Sequence, residues 1–449
     1  RLDDCLRSLT TRLWVCFGAR MQDLTATVTY DQGQLYIYSI TLTEQPIYRA
    51  ARLLCFLVLF AAADAALLLL FAHVGERGAA RRRALRLPLA LAGITLLACL
   101  PLFSNYLYFG HDLEFHMQRI AAMAAELSYG QFPVRLTTTT LNGYGYASPL
   151  CYCELFLLLP ALLYNLWLPL RTCYQVYLFA VTLATCLIAY FSFAKITASR
   201  RLGLLGALLY TLSAYRLTCV YTRAAVGEMT AFAFVPLVFL GLWSILCGDK
   251  KKWLCLPVGL TFLLVSHVLS AFAAVLLCAV FFLCYLGRVI KEPRRLLYIG
   301  CAVLVFAVLS ASFLFPMLEQ MASGTFLSTD GTSATYYGTL TQRSLPWWAS
   351  VFDFNTRLDY KSAAFGFWIP NGLGMSFFVM LAAFVRYITR IDDKKNLFVF
   401  LYFSVFLLLM TTELFPWSYF QSLCGTMQFP WRLLLFATFF MALFAGQFI

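Results

Sequence analysis

The 449-residue chain is 61% hydrophobic and only 12% charged, whereas soluble chains of this length carry about 25% charged residues. That balance argues against a cytosolic enzyme, a nucleic-acid binder and a secreted disulfide scaffold, and it fits an all-α polytopic membrane protein. The net charge of +13 does not point to nucleic acid, because the basic residues lie in short loops between apolar runs.

Residues 1–52 come first. Their alternating stretch from Leu24 to Leu42, rich in Thr, Tyr and Ile, predicts two strands about the turn Asp31-Gln32-Gly33, part of a small exterior β module. Residues 53–86 then supply a transmembrane helix and a basic cytoplasmic loop. Eleven stretches approach the roughly 20 apolar residues a spanning helix needs: 53–73, 87–108, 173–194, 203–220, 229–247, 253–267, 268–288, 296–316, 373–389, 396–413 and 430–449. No leader pattern precedes them, and Ile449 falls within an apolar run, so the sequence reads as a fragment at both ends. Cys55, Cys99, Cys186, Cys278, Cys284 and Cys301 lie in apolar stretches, where a thiol is a small filler. The spacing of Cys151 and Cys153 suits a zinc site poorly.

Basic residues collect on the cytoplasmic side of a membrane, which tests the span count independently. Nineteen of the 34 fall in five short loops: Arg77 to Arg86, Lys195 to Arg201, Lys250 to Lys252, Arg288 to Arg295, and Arg386 to Lys395. The opposite-side segments 109–172, 317–372 and 414–429 hold few. The alternation works if 147–170, apolar enough to cross, instead lies along or dips into the outer surface.

The densest polar group follows the second span, Gly110-His111-Asp112-Leu113-Glu114-Phe115-His116-Met117-Gln118-Arg119. A helix started by Asp112 as N-cap would put Asp112, His116 and Arg119 on one face. That is either an interfacial helix assembling acid/base groups or a capped helix with a solvated polar face. Leu141 to Ala147 brings Tyr144 and Tyr146 between glycines, as ligand contacts or as a tight turn with interfacial aromatics. Arg223 and Glu228 stand at the same outer level, as an ion pair or as phosphate and sugar contacts. His267 occupies a hairpin between two spans. Arg343 lies in the long outer loop, and Gln428 and Arg432 open the last span, where a guanidinium should meet an anion or line an aqueous cavity. Trp347 and Trp417 fit a membrane belt, and Asp64 is a deep polar residue without an evident partner. Convergence of these groups from distant positions at one membrane face is what an interfacial active site requires.

These residues resemble the GT-C superfamily of polytopic glycosyltransferases, and more closely its bacterial YfhO-like branch, some members of which are labelled 6-pyruvoyl-tetrahydropterin-synthase-related membrane proteins. The zinc-binding His cluster that pterin chemistry needs is absent. The resemblance covers residues 87–449. It is carried by Gly110-His111-Asp112 with Phe115-His116 and Arg119, by Gly143-Tyr144-Gly145-Tyr146, by Arg223 with Gly227-Glu228, by Ser266-His267, and by Gln428-Phe429-Pro430-Trp431-Arg432. It implies transfer of a sugar from a polyprenyl-phosphate carrier to an acceptor outside a bacterial plasma membrane. Asp112 would be the base or a ligand of a divalent cation, with Glu114 the weaker acid. Arg223, Arg343 and Arg432 would hold the phosphate, since guanidinium grips it bidentately. His111, His116, Arg119, Tyr144, Tyr146, Glu228, His267 and Gln428 would complete the substrate site. A lipid-linked-sugar flippase and a non-catalytic assembly protein are the competing expectations.

Overall fold

The computed structural model describes residues 9–17, 20–31, 34–44, 76–104, 106–107, 110–152, 154–324, 339–352, 371–374 and 394–445. The chain divides into two compact units, residues 1–87 and 88–449. In the first, β1 (Leu9–Phe17), β2 (Arg20–Asp31) and β3 (Gln34–Glu44) form an antiparallel meander in the order β1-β2-β3. In the backbone register Leu24 of β2 pairs with Leu13 of β1 and Leu42 of β3. β2 and β3 occupy the stretch picked out by its alternation. The expected span at 53–73, with Asp64, lies outside the described residues, as does the one at 373–389 from residue 375 on.

The described part of the second unit is helical: α1 (Glu76–Cys99, which begins in the first unit), α2 (Leu113–Ser128), α3 (Leu158–Asn165), α4 (Leu170–Ile196), α5 (Arg200–Thr211), α6 (Ala214–Thr222), α7 (Val226–Leu246), α8 (Cys255–Ser266), α9 (Val268–Cys284), α10 (Leu286–Lys291), α11 (Arg294–Ser323), α12 (Lys394–Met410) and α13 (Leu434–Ala445). Four helical stretches are long and apolar enough to cross a bilayer: Leu85–Phe103, Leu170–Ile196, Val226–Leu246 and Arg294–Ser323. Two bent pairs, Arg200–Thr211 with Ala214–Thr222 at 46° and Trp417–Met427 with Pro430–Ala445 at 75°, make up to six if each is one broken span. The remaining apolar helices are shorter. At about 1.5 Å per residue, the 12-residue α8 falls short of a hydrocarbon layer of about 30 Å. Segment 147–170 breaks into short pieces, of which the longest apolar run is Leu155–Asn165, too short to cross. The architecture is compatible with a multi-pass membrane protein.

α7 lies at the centre, buried along nearly its whole length. Phe239 on it stacks at 5.1 Å on Phe439 and meets Phe440 at 4.9 Å, and Phe440 stacks at 4.6 Å on Phe403. Two prolines inside helices create hydrogen-bonding sites. Pro236 has no N–H for the carbonyl four residues back, and that carbonyl, of Phe232, accepts the Tyr210 hydroxyl at 2.9 Å. In α11, Pro316 likewise frees the Ser312 carbonyl, which accepts the Arg135 guanidinium.

The basic loops of the second unit gather at one end of α7. Lys250 pairs with Glu292, which also pairs with Arg295, and Arg295 donates to the Ile245 carbonyl. Lys252 lies 5.7 Å from the ring of Phe191, near the Lys195 end of α4. The Tyr285 hydroxyl donates to Asn396 at 2.7 Å, bringing in the start of α12. The predicted polar group assembles at the opposite end of α7, about 31 Å away along its 21 residues.

Candidate functional site

Two loops create the first edge of the site. The amides of His111 and Asp112 donate to the carbonyls of Thr222 and Arg223 at 3.2 and 2.9 Å. The loops approach this closely because residue 110 is glycine: a Cβ there would lie 2.6 Å from that of Ala224. Asp112 occupies the N-cap position of α2, as its residue type predicts, yet its side chain makes no capping bond. Its carboxylate is exposed and feels the charges of Arg223, His111, Arg432 and Glu228. Desolvation by the surrounding protein pushes its pKa above the ordinary carboxylate value, with the Arg223 guanidinium opposing the shift most strongly. The same desolvation lowers the pKa of His111, against the pull of Asp112.

Behind Asp112 sits a buried charged group. Arg223 Nη1 donates to Glu228 Oε2 at 2.8 Å and to the Tyr215 hydroxyl at 3.3 Å, and that hydroxyl donates to Glu228 Oε1. Glu228 is 1% exposed. Arg432 Nε stands 4.0 Å from Glu228 Oε2. Arg432 Nη1 donates to the Met427 carbonyl at 2.8 Å and to Gln428 Oε1 at 3.0 Å. The Gln428 carbonyl accepts Arg343 Nη1 at 2.6 Å. Gln428 has φ +65°, an uncommon conformation for a residue with a side chain, and these two arginine contacts hold it there. The ring of Phe429 lies 5.0 Å from the Arg343 guanidinium and 5.1 Å from that of Arg432. Thus Arg223 and Arg432 meet Asp112 directly in charge, while Arg343 joins the edge through Gln428.

His267 breaks the chain between α8 and α9 in extended conformation and shares a 2.7 Å hydrogen bond with the Ser270 hydroxyl. It interacts electrostatically with Arg432, Glu228 and Arg223. Its ring lies 6.5 Å from that of Tyr152, whose hydroxyl accepts the Gly227 amide at 2.8 Å. Glycine is required at 227, because a Cβ would fall 2.2 Å from that hydroxyl.

Of the two readings for the polar face of α2, the solvated one does not hold for His116 and Arg119. His116 and Arg119 are 2% and 4% exposed and turn inward. Each nitrogen of Arg119 has a partner: Nε bonds Glu154 at 3.1 Å, Nη1 the His116 ring at 3.3 Å and Nη2 the Tyr152 carbonyl at 3.0 Å, with the guanidinium 4.0 Å above the Tyr152 ring. Burial, reinforced by Arg119, keeps His116 neutral by pushing its pKa well down, which suits Nδ1 as the acceptor from Arg119. These two residues brace the site from below. Burial also raises the pKa of Glu154, opposed by Arg119.

Three other expectations change. Glu114 is exposed and accepts only a 3.4 Å bond from Gln118, away from the group. Tyr144 and Tyr146 belong to an exposed turn closed by the Thr137–Tyr146 bridge, and the contacts above do not include them. The groups that act on Asp112 are the guanidiniums of Arg223 and Arg432, His111 and Glu228, and among the described residues no three of His, Cys, Asp or Glu converge as metal ligands. That surrounding suits an anion and does not fit a divalent cation, which needs several oxygen ligands. Cys151 is exposed and free, and Cys153 lies outside the described residues.

Sequence reasoning missed Tyr152, Glu154 and Tyr215 as partners. The signal for Glu154 was present: it is a lone acid in an apolar segment, and such an acid calls for a buried cation.

No family model matches this chain. It is similar to a protein of Lactococcus lactis subsp. cremoris (strain MG1363) described as "Uncharacterized protein", at 27% identity over 342 residues, which is 72% of this chain and 53% of the relative. The chain therefore spans about half the length of the relative it matches.

Proposed function

We propose that the chain is a multi-pass membrane glycosyltransferase of GT-C type that transfers a sugar from a polyprenyl-phosphate carrier to an acceptor at the exterior face of a bacterial plasma membrane. One observation carries this reading: an exposed carboxylate, Asp112, borders two guanidiniums, Arg223 and Arg432, supplied by distant segments at the end of α7 opposite the basic loops. Asp112 accepts the proton of an acceptor hydroxyl as its oxygen bonds to the anomeric carbon. The carbon–oxygen bond to the lipid phosphate breaks on the other side, and the phosphate leaves with the electron pair. Arg432 is best placed to receive that charge, because its Nε is buried without a hydrogen-bond partner among the described residues. Arg223 is already engaged by Glu228 and Tyr215, so it tunes the field and fixes the loop. A panel of polyprenyl-phosphate sugars incubated with purified protein tests the proposal, with Asp112→Asn losing transfer while remaining folded.

One feature favours the flippase reading instead. Arg216 is 1% exposed within the broken pair α5–α6 and bonds Thr182 and the Thr211 carbonyl, with no carboxylate among the described residues. Buried charge at a broken helix is a transporter trait. Carrier-linked sugar crossing vesicles without transfer would support that alternative.

A further inference from the structure

The loops at the basic end of α7 carry more positive charge than their own acids neutralise. Residues 247–254 and 286–295 hold seven basic side chains against two acids, Asp249 and Glu292. Both acids are engaged. Glu292 pairs with Lys250 and, at 2.7 Å, with Arg295, and Asp249 lies 3.6 Å from Lys251. Arg288 donates to the Cys247 carbonyl at 3.4 Å, and Lys252 rests near the Phe191 ring. Lys291 and Arg294 stand on either side of the Glu292-Pro293 break between α10 and α11. Both are exposed, and neither takes part in an ion pair among the described residues. The Glu292 pairs tie this break to the α7–α8 loop, so the two cations are presented from a braced junction.

The surface beside them is apolar and unpartnered. Ile290 is 69% exposed and Leu297 68%. Further along α11, Gly300 is exposed, and so are its neighbours three and four residues away on the helix surface, Leu296, Leu297, Val303 and Leu304. A Cβ at Gly300 would meet no heavy atom within 4 Å. The glycine therefore leaves a dent in an aliphatic surface, roughly 9 Å along the helix axis from Arg294.

We propose that the α10–α11 junction binds an anionic phospholipid, its phosphate between Lys291 and Arg294 and an acyl chain over Gly300. The occupant has two demands to meet together: negative charge for the surplus on the loops, and hydrocarbon for Ile290, Leu297 and the dent. A soluble phosphate meets the first and leaves the aliphatic surface bare. A zwitterionic phospholipid meets the second, but its own ammonium balances its phosphate and leaves the surplus in place. An anionic phospholipid meets both, and each Lys or Arg near an anionic lipid surface strengthens attraction about fivefold. Arg294 adds a planar fork that fits two phosphate oxygens. The inference rests on the chain being a membrane protein and not on the sugar-transfer reading.

The test compares diazirine-bearing phosphatidylglycerol and phosphatidylcholine with identical acyl chains, each as a trace in phosphatidylcholine nanodiscs that hold the full chain. Phosphatidylglycerol is expected to label the segment 286–304 about tenfold more than phosphatidylcholine. Lys291→Gln with Arg294→Gln should bring its labelling down to the phosphatidylcholine level. Lys251→Gln with Lys252→Gln, an equal loss of charge, should change the ratio by less than about twofold. Gly300→Leu, which fills the dent and alters no charge, should lower phosphatidylglycerol labelling about threefold. None of these residues belongs to the Glu292 pairs, so melting of each variant should match the parent. Millimolar glycerol phosphate, the headgroup chemistry without the chains, should not compete. Equal labelling by the two lipids, an equal fall in the two double variants, labelling insensitive to Gly300→Leu, or displacement by glycerol phosphate would overturn the proposal.

Discussion

Replacing Glu228 with Gln separates the groups that hold the site together from the group that would react. Glu228 is 1% exposed, accepts Arg223 at 2.8 Å and the Tyr215 hydroxyl, and has Arg432 at 4.0 Å. Gln keeps the shape and one acceptor oxygen but removes the only negative charge in that contact set, leaving two guanidiniums facing each other in low dielectric. Breaking a buried pair by removing one partner costs about 3–5 kcal/mol, and the retained oxygen places Glu228→Gln near the lower end, about 3 kcal/mol. Asp112→Asn is the contrasting variant. Asp112 is exposed, and its pKa is raised by desolvation, so the neutral side chain should leave stability within about 0.5 kcal/mol of the parent. Reversible unfolding in mixed micelles measures both. Equal stability of Glu228→Gln and the parent, or equal losses in the two variants, would refute the assignment of Glu228 as the buried counter-charge.

The acidic limb of any transfer activity should lie above the ordinary carboxylate value of about 4, because Asp112 must be ionised to accept a proton and its pKa is raised. By the same sign, the Asp112 contribution to stability is present at low pH and is lost as pH rises through its folded pKa; a pH series on the parent against Asp112→Asn reads both effects. The His116 ring should titrate well below an ordinary histidine, as an NMR titration would check, since burial lowers its pKa. Gly227→Ala should destabilise by about 1–3 kcal/mol through its clash with Tyr152 and Ser266, with part of the loss recovered when Tyr152→Phe removes the hydroxyl 2.2 Å from the new Cβ. Arg119→Met should cost about 3–5 kcal/mol by stranding Glu154, whereas Arg216→Met, which strands no carboxylate among the described residues, should stay within about 1 kcal/mol; similar losses in the two would contradict this charge assignment.

Composition and loop charge made much of the architecture legible. The Lys250, Arg288 to Arg295 and Asn396 segments do meet at one end of α7, and His267 and Glu228 meet at the other. Period alone could not reveal that α8 is too short to cross, because an apolar run reads alike whether it spans or packs inside a bundle. The Asp112–Arg223–Arg432 grouping was legible as a shared level. The inward turn of His116 and Arg119 was not, because the spacing that puts two residues on one helix face does not say what that face meets. Here it meets Tyr152 and Glu154, 33 and 35 residues further along the chain.

In the proposed reaction a lipid-phosphate sugar meets the Asp112 carboxylate, set against Arg223 and Arg432. The most direct test is single-turnover transfer from a radiolabelled polyprenyl-phosphate sugar by the parent protein and by Asp112→Asn reconstituted in the same lipid. The parent should give a glycosylated product and the variant none above background, at matched folding. Equal product from the two would contradict that reaction.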